Sequence, residues 1–344
     1  MILKLMPRAA GAVAAVSLLL SAGAHAAGPY DAIYAFGDSL SDVGNDYSLT
    51  GGLEPASPPY FNGQFSNGNV WLQTLAGELG VAPLTASRNG GTDYAYGGAQ
   101  SGSIASGSIT YTANISDVIG GGGQIAQFQA AHATADPNAL YTIWIGSNDI
   151  DHVIIADGAS PTQAQALLIQ TAANIDAAIE ALAGEGARNF LLMSIPDLGK
   201  TPVAIAQGAP TASAASALAA ELNGLVLAGN STAGLQSLAQ LAAGDGLTIS
   251  VFDSYAFLDQ ILADPSAYGF SDVTDPCLVG TTVCSNPSAH LFWDAIHPTA
   301  PAHVLLGDGA AAALPATVPL PAAVWLMISG LGGVGVIARR RKLV

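Results

Sequence analysis

The chain has 344 residues, of which half are apolar and 10% are charged, with a formal net charge of −16. That length allows one large domain or two small ones, and the composition excludes a disordered or fibrous protein. Most of the nine Lys and Arg residues lie near the two ends, which leaves Arg88, Arg188 and Lys200 to face all 25 acidic residues in between; such a surface repels nucleic acid and anionic membranes, so no nucleic-acid partner is expected.

Lys4 and Arg8 precede an uncharged, mostly apolar run over residues 9–22, followed by Ala24-His25-Ala26. A basic start, a short apolar core and a small-residue cleavage pattern predict a secretory signal peptide over residues 1–26; the apolar core is short for a retained membrane span. Beyond it, compact apolar runs at 32–36, 140–145, 189–195 and 247–252 predict buried strands. Between them, Ala/Leu/Gln-rich stretches at 69–79, 123–132, 161–183 and 211–243 predict helices, the third closing at Gly184 as a C-cap. Alternating strands and helices without a linker predict one α/β domain, residues 27–316, built on a parallel sheet covered on both faces. Gly-rich residues 101–123 and residues 253–298 read as long loops, where binding and catalysis concentrate, and the loops 50–67, 101–121 and 255–289 are expected to shape a pocket.

Cys277 and Cys284 are the two cysteines of the chain and flank a short loop-like stretch. In an oxidising compartment they predict a disulfide stapling that loop near the active site, and two thiols without a further His or Cys cluster predict no metal. No cofactor is called for. At the C-terminus, Val318-Pro319-Leu320-Pro321 leads into an apolar run over 324–338 and then Arg339-Arg340-Arg341-Lys342. The run is barely long enough to span a bilayer, and the charge after it predicts a cytoplasmic tail with the preceding domain translocated.

Chemistry is carried by four segments. The first strand runs into Phe36-Gly37-Asp38-Ser39-Leu40-Ser41-Asp42-Val43-Gly44-Asn45, which presents Ser39 just past the carboxyl end of a buried strand. Alone this reads equally as a capped turn, and no Gly-x-Ser-x-Gly elbow occurs in the chain. A nucleophilic serine needs a base and a group that orients the base. His132, His152, His290 and His303 have no signature around them and read as surface or helix-end residues, whereas His297 follows Asp294 by three residues, a spacing that lets the carboxylate hold one imidazole nitrogen while the other faces a serine. Donors for an oxyanion are offered by the paired glycines of Tyr94-Ala95-Tyr96-Gly97-Gly98-Ala99 and by Asn148 at the end of the second strand, each weak alone because both patterns are common in turns.

Together and in this order the four segments resemble the GDSL esterase/lipase family, the SGNH hydrolases. That resemblance implies a flavodoxin-like three-layer sandwich around a five-stranded parallel sheet, and a carboxylic ester hydrolase acting through an acyl-enzyme. It further implies Ser39 as nucleophile, Asp294 and His297 completing the triad, and an oxyanion hole made by the Ser39 and Gly98 N–H groups and the Asn148 side chain. Members often carry Asn where this chain has Asp93, a departure expected to weaken a local hydrogen bond without touching the named chemistry. The expected substrate is an acyl lipid, a small ester or an acetylated sugar; the rival expectation is an inactive SGNH-fold protein that binds at the surface or in an exopolysaccharide matrix. The C-terminus resembles the PEP-CTERM sorting signal, with Leu320 in place of the usual Glu. Residues 317–344 would then be processed by an exosortase-type protease, placing the protein in the cell envelope or outside it, with a transient anchor in the inner membrane.

Overall fold

A computed structural model describes residues 29–102, 123–151 and 160–315; the expected signal peptide, the C-terminal segment 317–344, His152 and residues 103–122 of the Gly-rich loop lie outside the described residues. Four strands, β1 (Ile33–Gly37), β2 (Leu140–Trp144), β3 (Asn189–Met193) and β4 (Thr248–Phe252), form an all-parallel sheet in chain order. Ile33 lies opposite Leu140, Leu140 opposite Asn189, and Asn189 opposite Thr248.

The regular sheet therefore has four described strands and not the expected five. Residues 92–96 take the fifth place along the free edge of β1: Ala35 N–H donates to Thr92 O (3.1 Å), Tyr94 N–H to Ala35 O (2.7 Å) and Tyr96 N–H to Gly37 O (3.2 Å). The segment stays irregular because Asp93 also bridges Ala86 on its other side and the run ends at once in the Gly97–Gly98 turn. The chain thus leaves β1 toward one side and returns to β2 on the other, which makes the carboxyl end of β1 a topological switch point, where open α/β sheets place their ligands.

The strands are apolar on both faces, as a doubly covered sheet requires. Leu140, Trp144, Ile33 and Ala35 pack on α2 (Trp71–Leu79) and α9 (Ala300–Ala312). Phe36, Tyr141, Ile143, Phe190 and Leu192 pack on α3 (Gln124–Ala131), α4 (Pro161–Glu185) and α7 (Leu238–Asp245). Short α1 (Asn45–Leu49) and α5 (Pro202–Ala206) fill connections, and α6 (Ala209–Ala228) lies against α4.

Three expectations are corrected. Helix α4 opens on a Ser160/Gln163 capping box and ends not at Gly184 but at Gly186, whose φ of 118° suits a residue without Cβ. The stretch 211–243 is two helices: Gly229 (φ 70°) stops α6, and a second capping box, Ser237 with Gln240, starts α7. Residues 253–298 hold α8 (Ser254–Ala263), capped by Asp253, and a small antiparallel hairpin of β5 (Leu278–Val279) and β6 (Thr282–Val283).

His303 was expected at a surface or helix end and is instead buried in α9, where its Nδ1 accepts from Trp71 N–H (3.3 Å) and ties α9 to α2. Burial, reinforced by nearby His297, pushes its pKa down to about 3, so the ring is neutral there. The same two helices meet most closely at Gly307, where a Cβ would lie 2.6 Å from Thr74 Cβ and 2.7 Å from Trp71 O. Gly307→Val is expected to destabilise the domain by about 1–3 kcal/mol through overpacking, beyond its gain in helix propensity. Thermal unfolding checks this as a lowered Tm.

Candidate active site

The Ser39 loop is built by its own carboxylates. At Gly37 a Cβ would come within 2.5 Å of Trp144 O, so glycine lets β1 end tight against β2. The chain then turns on Asp38, whose Oδ1 accepts from Leu40 N–H (3.0 Å) and whose carbonyl accepts from Ser41 and Asp42 N–H. Asp42 accepts from Gly44 N–H (2.7 Å), Asn45 N–H (2.6 Å), Asp46 N–H (3.2 Å) and, across the site, Gly97 N–H (3.1 Å). The Asn45 amide donates to the carbonyls of Asp93 (2.8 Å) and Ala95 (2.9 Å), clamping the Ser39 loop to residues 93–98. Asp93 does not weaken this clamp: its carboxylate accepts from Val43 N–H (2.8 Å) and Ala95 N–H (3.0 Å), and burial raises its pKa well above the carboxylate range.

The structure brings Ser39, His297 and Asp294 into one hydrogen-bonded chain. His297 Nε2 lies 2.7 Å from Ser39 Oγ, a contact spanning 258 residues of sequence, and His297 Nδ1 lies 2.7 Å from Asp294 Oδ2. The other Asp294 oxygen accepts from Ile296 N–H (2.9 Å) and His297 N–H (2.8 Å), which folds residues 294–297 into a turn closed by Trp293 N–H on His297 O (2.7 Å). Behind this turn, Cys277 and Cys284 form a disulfide across the β5–β6 hairpin. Cys277 N–H donates to Phe292 O (3.1 Å) and Leu278 N–H to Trp293 O (2.6 Å), so the staple backs the residues leading into Asp294.

Gly98 (φ 67°) and Asn148 line the same cavity as Ser39 and His297. Gly97 N–H is committed to Asp42, which leaves Gly98 as the glycine of the pair facing the cavity. Asn148 Nδ2 donates one hydrogen to Ala99 O (2.9 Å), which orients the amide while its second hydrogen remains. The neighbouring Asp149 carboxylate anchors this strand end, accepting from Ser101 N–H (2.9 Å) and Oγ (2.6 Å) and from Thr171 Oγ1 (3.1 Å).

Sequence reasoning missed Tyr60 and Phe65. Tyr60 O–H donates to Asp294 Oδ2 (2.6 Å), the same oxygen that faces His297 Nδ1, and the Phe65 ring lies 5.3 Å from the imidazole. Nothing in a lone Tyr of a Pro-rich loop announces such a contact. Of the loops expected to shape the pocket, 50–67 supplies Phe65, while the 255–289 wall comes from helix α8 through Phe257, Leu258 and Ile261. The cavity measures about 260 Å³.

Electrostatically the site is polarised. Burial would raise Asp294, but His297, Tyr60 and the turn amides outweigh it and hold the carboxyl well below its ordinary range. Burial likewise depresses His297, but Asp294, by charge and hydrogen bond, raises it above its ordinary 6.5, with a further contribution from Asp38. Burial pushes Asp38 itself up to about 7. Such an array can move a proton from Ser39 Oγ to an imidazole whose positive form is stabilised from behind. Among the described residues no cluster of three or more His, Cys, Asp or Glu side chains is arranged to hold a metal ion.

A family model described as GDSL-like lipase/acylhydrolase matches residues 33–310, and one for the PEP-CTERM protein-sorting motif matches residues 317–342. The chain is 28% identical over 329 residues to a phosphatidylcholine-sterol acyltransferase of Aeromonas hydrophila, covering 82% of this chain and 89% of that protein. It is 30% identical over 278 residues to an acetylesterase of Thermothelomyces thermophilus, covering 76% and 85% respectively. Among solved structures, a carbohydrate acetylesterase from Sinorhizobium meliloti is 14% identical with a TM-score of 0.42, covering 82% of this chain and 97% of that one.

The His297 ring is expected to titrate above 6.5, as read by NMR of the imidazole. Asp294→Asn removes the charge that favours the imidazolium, so the midpoint falls; Tyr60→Phe leaves Asp294 with one donor fewer to share its charge, so the midpoint rises. Unmoved midpoints in both variants would contradict the pairing.

Proposed function

Because the chain belongs to the GDSL-like lipase/acylhydrolase family, we propose that it cleaves carboxylic esters outside the cytoplasm, with Ser39 as the nucleophile. The chain is a carboxylic ester hydrolase carrying a C-terminal PEP-CTERM sorting motif. The hydrogen-bonded chain Ser39–His297–Asp294 is the observation that supports the finer reading.

Ser39 Oγ attacks the ester carbonyl carbon as its proton passes to His297 Nε2, and Asp294 stabilises the imidazolium through Nδ1. The tetrahedral oxyanion is held by the Ser39 and Gly98 N–H groups and by the free N–H of Asn148. As the carbon–oxygen bond to the alcohol breaks, His297 returns the proton to the leaving oxygen. A water molecule then attacks the acyl-enzyme, giving its proton to His297, and the acid leaves as Ser39 regains its hydrogen. The products are a carboxylic acid and an alcohol.

Residues 1–26 direct export and are then removed, which delivers residues 27–316 as the hydrolase domain. The segment 317–344 anchors the chain transiently in the inner membrane until an exosortase-type protease processes it. The rival reading, a surface or matrix protein that binds without turning over, is disfavoured by the unbroken proton path from Asp294 to Ser39.

A fluorophosphonate probe is expected to label the wild type and not Ser39→Ala, with p-nitrophenyl ester hydrolysis lost in parallel; hydrolysis undiminished in that variant would overturn the assignment. Asn148→Ala is expected to lower kcat by about two to three orders of magnitude. Intact mass of the exported protein is expected to start at Ala27 and to lack the basic tail.

A further inference from the structure

We infer that the cavity beside Ser39 is an acyl-chain site, so that the enzyme prefers esters of medium-length apolar acids to acetyl esters, including those of sugars. The inference rests on Ser39 being the nucleophile, and it separates two substrate classes between which the relatives themselves divide, one named for acyl transfer and the other for acetyl ester hydrolysis.

The first observation is size. The cavity of about 260 Å³ is some twenty times the ~10–15 Å³ that admits one water molecule. An acetyl methyl group is close to a water molecule in bulk, so an acetyl-enzyme would leave most of the space unfilled. Apolar space left unfilled forfeits the contacts that would otherwise stabilise the bound state.

Wall chemistry is the second observation. Away from the nucleophile the cavity is bounded by Leu258 and Ile261 of α8, by Leu291 and Phe292, and by Ala302 and Leu306 of α9. None of these side chains can donate or accept a hydrogen bond, and Ile261, Leu291, Phe292 and Ala302 are themselves buried core residues. Two hydroxyls on the wall are already spent on backbone carbonyls: Thr201 Oγ1 donates to Leu198 O (2.7 Å) and Ser254 Oγ to Ser194 O. The polar groups Asp38, Ser147, Asn148 and Asp151 belong to the two chain segments that carry the nucleophile and the oxyanion donor, not to the α8–α9 wall. A sugar placed against the α8–α9 wall would bury hydroxyls without partners, whereas a hydrocarbon chain would lose only its contact with water.

The order of chemical events assigns the cavity to the acid half of the ester. The acyl group stays bonded to Ser39 between the two half-reactions, while the alcohol must leave and water must enter. A recess floored by core residues suits the half that stays.

The test uses the exported protein and p-nitrophenyl esters with acyl chains of two, four, six, eight and twelve carbons. kcat/KM is expected to rise by up to roughly fourfold per methylene from acetate toward octanoate. Ala302→Phe, which fills the floor, is expected to lower octanoate turnover at least tenfold while leaving acetate turnover within about threefold. Leu258→Trp, on a less buried wall, is expected to give the same split and serves if Ala302→Phe fails to fold. A wild type fastest on acetate, or a folded filling variant that loses all chain lengths equally, would overturn the acyl site. So would a rise with alcohol length in acetate esters of straight-chain alcohols instead of with acyl length. Failure of the nucleophile itself reads out differently, as hydrolysis persisting in Ser39→Ala at every chain length.

Discussion

The carboxylate of Asp294 is the point on which the site turns. Its two oxygens receive the Ile296 and His297 amides, the His297 imidazole and the Tyr60 hydroxyl. Those four donors do separate things: the amides make the turn, the phenol ties in a distant loop, and the imidazole bond leaves Nε2 facing Ser39. The cost of burying this charge is outweighed by the His297 imidazole together with the fixed donors, with no lysine or arginine involved. The carboxylate can therefore stabilise a positive imidazole without competing for a lysine or arginine partner.

Buried carboxyl groups held by amides recur across the domain, although at Asp42, Asp93 and Asp149 burial outweighs the donors and raises the pKa. With three basic residues against 25 acidic ones, residues 27–316 have few lysines or arginines to pair with buried carboxyl groups. The ion pairs seen among the described residues join carboxylates to histidine. Asp42, Asp93 and Asp149 are buried instead on backbone amides and hydroxyls, and each has a bond that joins segments distant in sequence: Asp42 to Gly97, Asp93 to Val43, Asp149 to Ser101. Amide donors are directional in a way that a lysine ammonium is not, so this mode of burial fixes loop geometry. The Ser39 loop and the Gly97–Gly98 turn share their positions through it.

Much of this was legible in the sequence because its signals are local. Apolar runs marked the four regular strands to within one or two residues at their ends, since a doubly covered parallel strand must be apolar on both sides. The spacing of Asp294 and His297 placed them in one turn, and the tight approach at Gly37 explains why a glycine stands before Asp38-Ser39. What escaped was either non-local or masked by composition. Tyr60 meets Asp294 from 234 residues away, and no pattern around it encodes that. The alanine-rich stretch around Gly229 read as one helix because alanine propensity hid a break that Ser237 and Gln240 signal in capping terms. Asp93 read as a loss because a carboxylate lacks the amide donor of Asn, yet its surroundings offer donors and need an acceptor.

The stapled hairpin has a bearing on how the molecule comes apart. A disulfide closing so short a loop contributes about 2–3 kcal/mol in the chain-entropy view, by restricting the unfolded chain. The hairpin's links to Phe292 and Trp293 stop one residue short of Asp294. It packs with Trp293 and Tyr60 in a small cluster of its own, apart from the clusters on the two faces of the sheet. Reduction of the bond loosens the chain that holds Phe292 and Trp293 through the Cys277 and Leu278 amides, and with it the approach to Asp294, while the hydrogen bonds of β1 to β4 do not involve it.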